Sequence, residues 1–465
     1  MVGNEISTPA TLTTRTLLTD ALAGGLTAAV FYAEYTGLGA LLGAVLPSQK
    51  SAAQGSLMVI GAVVVSSLLA LAVRQPFIAG PRAASLAVLI VGMKFATEHA
   101  TAQEGRFFVA MAALATMQVA AAATLLVGLV PSVQRFIDSS HIALRKGFVF
   151  ATAVGIVVGL GAAQLDGCLR INPLITTAIA VVSIWVALAW ARSCRRAKFK
   201  RPWQFKLAPL SMMLGVGVAT LGYYMFLVQT ARDGLCGTLG IVGLQLDQLK
   251  ILVVMPSTFV VASTYLPWWV WLMLAVMGVL QGGVLLLESL TTLSDRKDPA
   301  GTGFWAAQLK LRAFVNLLCA PLGFASSSLS ASRTSALLQA HGKTRLAVLF
   351  HGLGLLAILV FCSAWIAKLP VIAVAVALVL VATQMIDDDT RDSVWRDGYA
   401  PSASSASMGV TWLFWGVLGV SLLAGSVLRY FDHGFGGGPL IALVLGAAAM
   451  AAFARSSDNR PKDSV

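Results

Sequence analysis

Charge is what this chain has least of. Only 11% of its 465 residues are Asp, Glu, Lys or Arg, against about a quarter in an average soluble domain. With 57% hydrophobic residues, a single water-soluble core is excluded. Acids are scarcer than bases, 20 against 33, and the formal net charge is +13. Cysteine is rare as well. The five cysteines fit no metal-ligand spacing, and no HExxH, Walker loop or nucleophile elbow occurs, so the residues offer no recognisable catalytic set, metal centre or cofactor site. No linker-like stretch is long enough to separate soluble domains, and Met1 to Arg15 is polar rather than signal-like. The expectation is one membrane domain, residues 1–465, whose first helix stays in the mature protein.

What is present is a succession of apolar runs near the ~20 residues that cross a bilayer. In order they predict helices at Leu18–Tyr35, Gly55–Val73, a short one from Pro81, Phe107–Val130, His141–Ala163, Leu174–Trp190, Leu207–Val228, Trp268–Thr292, Leu309–Phe324, a short one from Ser332, Leu346–Ile366, Val371–Ile386, Val410–Leu428 and Leu440–Ala454. The fold class is therefore an all-α polytopic membrane protein. Gly237 to Leu266 stays open between an external loop with a partial strand and an amphipathic surface helix. Arg192, Arg195, Arg196, Lys198, Lys200, Arg201 and Lys206 follow the sixth segment with no acid among them, which marks a cytoplasmic loop. Counting from it places both termini inside, with Asp295 to Asp298, His341 to Arg345 and Asp387 to Asp397, in a multi-pass cell (inner) membrane protein. The basic charge then faces lipid rather than nucleic acid. Cys168 and Cys236 fall in loops placed outside, where a disulfide can persist, whereas Cys194, Cys319 and Cys362 read as free thiols. Lys94, Lys310, Arg312 and Asp432 fall near predicted helix ends and are expected at the interface.

Two places break the helical pattern at membrane depth. In Pro76-Phe77-Ile78-Ala79-Gly80-Pro81-Arg82 the prolines remove amide donors and Gly80 permits an extended approach. In Phe324 to Ser335, FASSSLSASRTS, six serines, one threonine and an arginine stand between apolar flanks. Irregular backbone at that depth is tolerated only where protein or a water-filled cavity satisfies it, so both read as short helices starting partway across the membrane. Glu34 precedes Arg82 by 82 − 34 = 48 residues, and Glu288 precedes Arg333 by 333 − 288 = 45. The match suggests two inverted seven-helix repeats, approximately residues 15–230 and 265–455, with the third and tenth helices broken.

Two half-helix N-termini facing one another offer unpaired amides and partial positive charge, an anion site before any side chain is counted. Ser330, Ser332 and Thr334 add hydroxyls and Arg333 a full charge. The alternative is that the hydroxyls only cap and pack the helix. Glu34 and Glu288 are carboxylates at mid-bilayer, hence functional candidates by default. Each could take a proton during transport, Glu288 could bind sodium with Thr292 one turn on, or each could stand in an ion pair with Arg82 or Arg333. Arg82 either faces the site or snorkels beside Arg74.

At these residues the chain resembles the sulfate permease (SulP) family of anion transporters. The resemblance rests on LLLESLTTL at Leu285 to Leu293, Phe314 to Gly323, and SASRTSALLQAHGKTRL at Ser330 to Leu346, with DALAGGLTAA at Asp20 to Ala29, AGPRAASLAV at Ala79 to Val88 and ALRKGFVFATAVGIVVGLGAAQL at Ala143 to Leu165. It implies a core and a gate domain that move relative to each other, with substrate held between the two broken helices by Gly80, Pro81, Arg82, Ala83, Ser330, Ser332, Arg333 and Thr334. By position, Ser332 and Arg333 match the family's substrate-site serine and arginine. Glu288 and Thr292 match the acid and hydroxyl used for cation coupling in bicarbonate-transporting members. Three departures stand out. Ala33-Glu34 lies where the first helix commonly has a proline and a glutamine, which favours proton symport. Arg82 follows the Gly-Pro pair where a small residue is usual. The cytoplasmic STAS domain is missing, which leaves the family's route to a homodimer open. The expected function is secondary active transport of a small anion such as sulfate or bicarbonate, coupled to protons or sodium. A nucleobase carrier on the same fold and a non-transporting scaffold or sensor are the alternatives.

Overall fold

A computed structural model describes residues 14–47, 51–73, 76–130, 162–196, 210–228, 236–238, 252–294 and 303–385. The predicted segments Val410 to Leu428 and Leu440 to Ala454, all but the last two residues of His141 to Ala163, the basic residues after Arg196, and Asp295 to Asp298, Asp387 to Asp397 and Asp432 lie outside them.

The described elements are α1 (Thr14–Gly43), α2 (Ser51–Leu69), β1 (Ala79–Gly80), α3 (Ala83–Glu98), α4 (Arg106–Val127), α5 (Ala162–Ile171), α6 (Pro173–Arg196), α7 (Ser211–Gly222), α8 (Pro256–Tyr265), α9 (Trp268–Ser294), α10 (Gly303–Cys319), β2 (Ser328–Leu329), α11 (Ala331–Gln339), α12 (Arg345–Phe361), the single turn α13 (Ser363–Ile366) and α14 (Val371–Met385). Among the described residues, five spans are long and apolar enough to cross a membrane: Thr14–Gly43, Ala53–Ala72, Arg106–Val127, Pro173–Cys194 and Trp268–Leu290. Their outward side chains are apolar, as at Leu174, Trp185, Trp268 and Val279, while Glu34, Glu288, Arg312 and Arg333 are buried. This inversion of the soluble pattern suits lipid, where every backbone polar group must be satisfied inside the helix and charge turns inward. The chain is a multi-pass helical membrane protein.

Without a hydrophobic drive between helices in lipid, packing relies on small residues. A Cβ on Gly55 would stand 1.9 Å from the Gly39 carbonyl oxygen, and one on Gly39 would stand 2.3 Å from Ser56 Cα, so α1 and α2 touch through bare backbone. Gly278 and Gly282 bring α9 equally close to Met117 and Ala121 of α4. Through such contacts α1 to α4 and α9 to α12 form one group. A second group consists of α5, α6, α7 and α14, joined to the first where α14 meets α1 and α11. Cys168 and Cys236 are disulfide-bonded, which ties residues 236–238 to this second bundle. There the Tyr223 hydroxyl donates to the Cys236 carbonyl at 3.0 Å, and Val371 N–H donates to Gly237 O at 3.1 Å.

Several sequence expectations need correcting. The first helix extends eight residues past Tyr35, to Gly43. The ninth predicted helix runs over Gly303–Cys319 instead of Leu309 to Phe324, because the chain turns at Gly323, whose φ of +63° is left-handed and whose absent Cβ would lie 2.0 Å from Leu252 O. Within Gly237 to Leu266 the described residues hold an isolated bridge from Thr238 to Pro370 and the helix α8. Cys168 lies in α5 rather than in a loop. Lys310 is exposed as expected, but Arg312 is 1% exposed in the interior of α10 and is no interfacial residue.

Candidate functional site

The two breaks meet. The extended residues before each short helix pair as an antiparallel ladder two residues long, Ala79 opposite Leu329 and Gly80 opposite Ser328. Ser330 N–H donates to Ile78 O at 3.0 Å, and Ile78 N–H donates to the Thr334 hydroxyl at 3.1 Å. Backbone groups that a helix would have satisfied are thus satisfied across the crossing, which is why non-helical chain survives here. From the ladder α3 begins at Ala83 and α11 at Ala331, so the N-termini of both half-helices lie at the crossing. Their first amides have no helical acceptor.

The charges pair crosswise. Glu34 of α1 does not reach Arg82, the arginine of its own half; it accepts from Arg333, from Nη2 at 2.5 Å and from Nε at 3.3 Å. Arg333 Nη2 also donates to Pro81 O at 2.9 Å, and the guanidinium lies 4.3 Å above the Tyr35 ring. Glu288 of α9 stands 3.9 Å from Arg82 Nε and accepts from the Ser328 hydroxyl at 2.6 Å. Arg82 therefore faces the site, its Nη1 making a long contact of 3.5 Å with Leu329 O.

Arg333 is not exhausted by these partners. Its Nη1 is buried and has no hydrogen-bond partner among the described residues. A Cβ on Gly80 would stand 2.7 Å from Val63 Cγ2 and 3.2 Å from that nitrogen, so only a glycine lets the ladder come this close to the unused donor. Pro81 contributes its carbonyl to Arg333, Ala83 opens α3, and Thr292 donates to Glu288 O at 2.9 Å and Leu329 O at 3.3 Å.

The serines divide into two kinds. Ser326 accepts from Gln281 at 2.9 Å; Ser327 meets the Ser66 hydroxyl at 2.7 Å, while Asn316 clasps its backbone with two bonds of 2.9 Å. Ser328 holds Glu288, Thr334 holds Ile78, and Ser330 caps α11 by accepting from Arg333 N–H at 3.4 Å. These five hydroxyls hold the crossing together. Ser332 is partly exposed, with the Ser330 hydroxyl 3.3 Å away, and Ser335 is exposed. Of the expected hydroxyl donors Ser330, Ser332 and Thr334, Ser332 is the one that is not buried.

Sequence reasoning missed a supporting layer. His351 of α12 bridges the Thr27 hydroxyl at 3.1 Å and the Tyr35 hydroxyl at 3.3 Å, fixing the ring beneath Arg333. Asp20 accepts from Lys343 N–H at 2.8 Å and from the Thr344 hydroxyl at 2.5 Å, tying α1 to the turn after α11. Asp20 and its two partners lie in stretches already singled out, DALAGG and HGKTRL, but no spacing rule joins them.

Two half-helices crossing at a short ladder, with an ion pair on each side, form the centre of this multi-pass helical membrane protein. The sulfate permease family model matches residues 312–398, that is 398 − 312 + 1 = 87 of 465 residues, a stretch that includes Arg333. No curated protein matches the whole sequence significantly. Among solved structures, the transmembrane domain of the cyanobacterial bicarbonate transporter BicA is similar, with TM-score 0.55, 16% identity, and 94% of this chain and 98% of that one covered. SLC26A9 gives TM-score 0.60 at 13% identity, covering 96% of this chain and 66% of that one. Murine SLC26A9, described as an anion transporter in the inward-facing state, gives 0.53 at 15% identity, covering 98% and 74%. At such identities the likeness defines the fold.

Proposed function

We propose that this protein is a secondary transporter of a small anion that binds at the crossing, and that a proton on Glu34 accompanies the anion. The observation that carries this is the state of Arg333, a buried guanidinium held on one side by Glu34 and left with an unused donor on the other. Glu34, Glu288, Arg82 and Arg333 sum to zero charge. An anion entering opposite Gly80 would add a negative charge in a medium where an unbalanced ion costs several kcal/mol. Protonating Glu34 restores neutrality and loosens its hold on Arg333, so the anion and the proton bind together. The α3 and α11 amides and Ser332 complete a donor set suited to an oxyanion such as bicarbonate or sulfate.

Alternating access would arise from the α5–α7 and α14 bundle moving against the group that carries the crossing, within the seven-plus-seven inverted repeat suggested by the paired breaks. The matched bicarbonate transporter and SLC26A9 support this reading. Sodium at Glu288 is the weaker coupling candidate. Arg82 already stands beside that carboxylate and repels a cation, and the Thr292 hydroxyl is turned to two carbonyls. Orientation with both termini inside, and residence in the inner membrane, complete the proposal.

Uptake of labelled bicarbonate and sulfate into proteoliposomes, with and without an inward proton gradient, tests it. A proton gradient should drive accumulation, and Arg333→Ala should abolish it. Full-rate uptake by Arg333→Ala would overturn the assignment.

A further inference from the structure

A second arginine lies buried away from the crossing. Arg312 stands on α10 with 1% exposure, and among the described residues neither its Nε nor its Nη1 has a hydrogen-bond partner. One turn earlier on the same face, Gln308 is also 1% exposed, and both its Oε1 and its Nε2 lack partners among the described residues. Four polar atoms on adjacent turns of one helix are thus orphaned together. Their neighbourhood is apolar: Leu309 and Ala313, which follow Gln308 and Arg312 directly in sequence, pack with Ala121, Leu125, Leu285 and Leu290 of α4 and α9.

Among the described residues, the buried carboxylates are committed elsewhere. Glu34 holds Arg333, Glu288 stands with Arg82 and Ser328, and Asp20 holds residues 343 and 344. A guanidinium stays protonated at any accessible pH, so Arg312 carries a full charge that no described side chain balances. Buried ions are paired or solvated, and a neutral Gln308 amide supplies a donor but no charge.

We propose that Arg312 and Gln308 hold a small inorganic anion, such as chloride or bicarbonate, at a site separate from Arg333. Arg312 supplies the charge through Nε and Nη1, and the Gln308 amide N–H₂ supplies a further donor. One turn beyond Arg312 on the same face, Asn316 clasps the backbone of Ser327. An anion seated here therefore steadies the helix that positions the serine run of the crossing. The inference stands whether or not the transport reading holds.

The test uses the purified full chain and bromide as probe. In the Arg333→Ala variant, which lacks the crossing guanidinium, thermal unfolding is followed against sodium bromide and against sodium gluconate at equal ionic strength. Bromide should raise Tm saturably. Adding Arg312→Leu should abolish the rise, and adding Gln308→Leu should increase the half-saturating bromide concentration by about tenfold. Absence of a bromide-specific rise in Arg333→Ala, or an equal rise when Arg312→Leu is added, overturns the proposal. Stabilisation of delipidated protein by phosphatidylglycerol but not by bromide assigns a lipid phosphate instead and also overturns it. Should these variants fail to fold, anomalous scattering from bromide-soaked wild-type crystals decides: a peak beside Arg312 and Gln308 is expected, and its absence refutes the site.

Discussion

The two acid–arginine pairs at the crossing look like copies of one design, yet they differ in tightness. Glu34 and Arg333 meet through two nitrogens, with one contact at 2.5 Å, and Arg333 is 1% exposed. Glu288 and Arg82 stand 3.9 Å apart, Arg82 is 11% exposed at its side chain, and the Ser328 hydroxyl supplies the short bond to the acid. A bidentate, fully desolvated pair must be broken or neutralised before either partner can bind anything else, whereas a loose pair backed by a hydroxyl can persist. Under the proposed mechanism, the difference makes Glu34 the acid whose charge changes and Glu288 the one whose charge stands.

The largest expected effect comes from breaking the tight pair. Arg333→Ala should lower anion uptake by about 100-fold or more, on the scale of the 3–5 kcal/mol lost when one partner of a buried pair is removed, while Arg82→Ala should cost about tenfold. Initial uptake rates of reconstituted variants measure both, and equal losses would erase the comparison. Next, wild-type uptake should rise as external pH falls, since protonating Glu34 frees Arg333. Glu34→Gln should be flat with pH, and Glu288→Gln should keep the slope. A pH profile that flattens in Glu288→Gln instead would exchange the two roles. A smaller effect belongs to Gly80→Ala, whose methyl would stand 2.7 Å from Val63 Cγ2 and 3.2 Å from Arg333 Nη1. It should raise KM by about tenfold with little change in Tm. Least of all, Ser328→Ala removes one buried hydrogen bond and should lower stability by about 1 kcal/mol, read by thermal unfolding in detergent.

Much of this was legible in the sequence because lipid makes the code simple. Apolar length identified the long helices, and the two interruptions stood out where proline, glycine and serine replaced leucine and valine. The acids and arginines were legible as candidates because charge at that depth is costly. Their partners were not. Glu34 and Arg333 lie 299 residues apart, and the similar spacing within each half, 48 and 45 residues, drew attention to the pairs that the fold does not form. The hydroxyl cluster was overread for a related reason. A serine that binds a ligand and one that tethers an extended backbone have the same composition, and only the ladder tells them apart. Arg312 was misplaced because the predicted helix began six residues late, which moved a mid-helix residue to an end.

The ladder itself carries a further consequence. It is two residues long, with side chains on its two strands pointing alternately to opposite sides. Sliding either strand by one position would send Ser328 away from Glu288 and bring Leu329 toward it. The centre of this protein therefore works as a reading frame. It should tolerate conservative replacements at single positions but reject any deletion or insertion between Phe324 and Ser330, however small the residue involved.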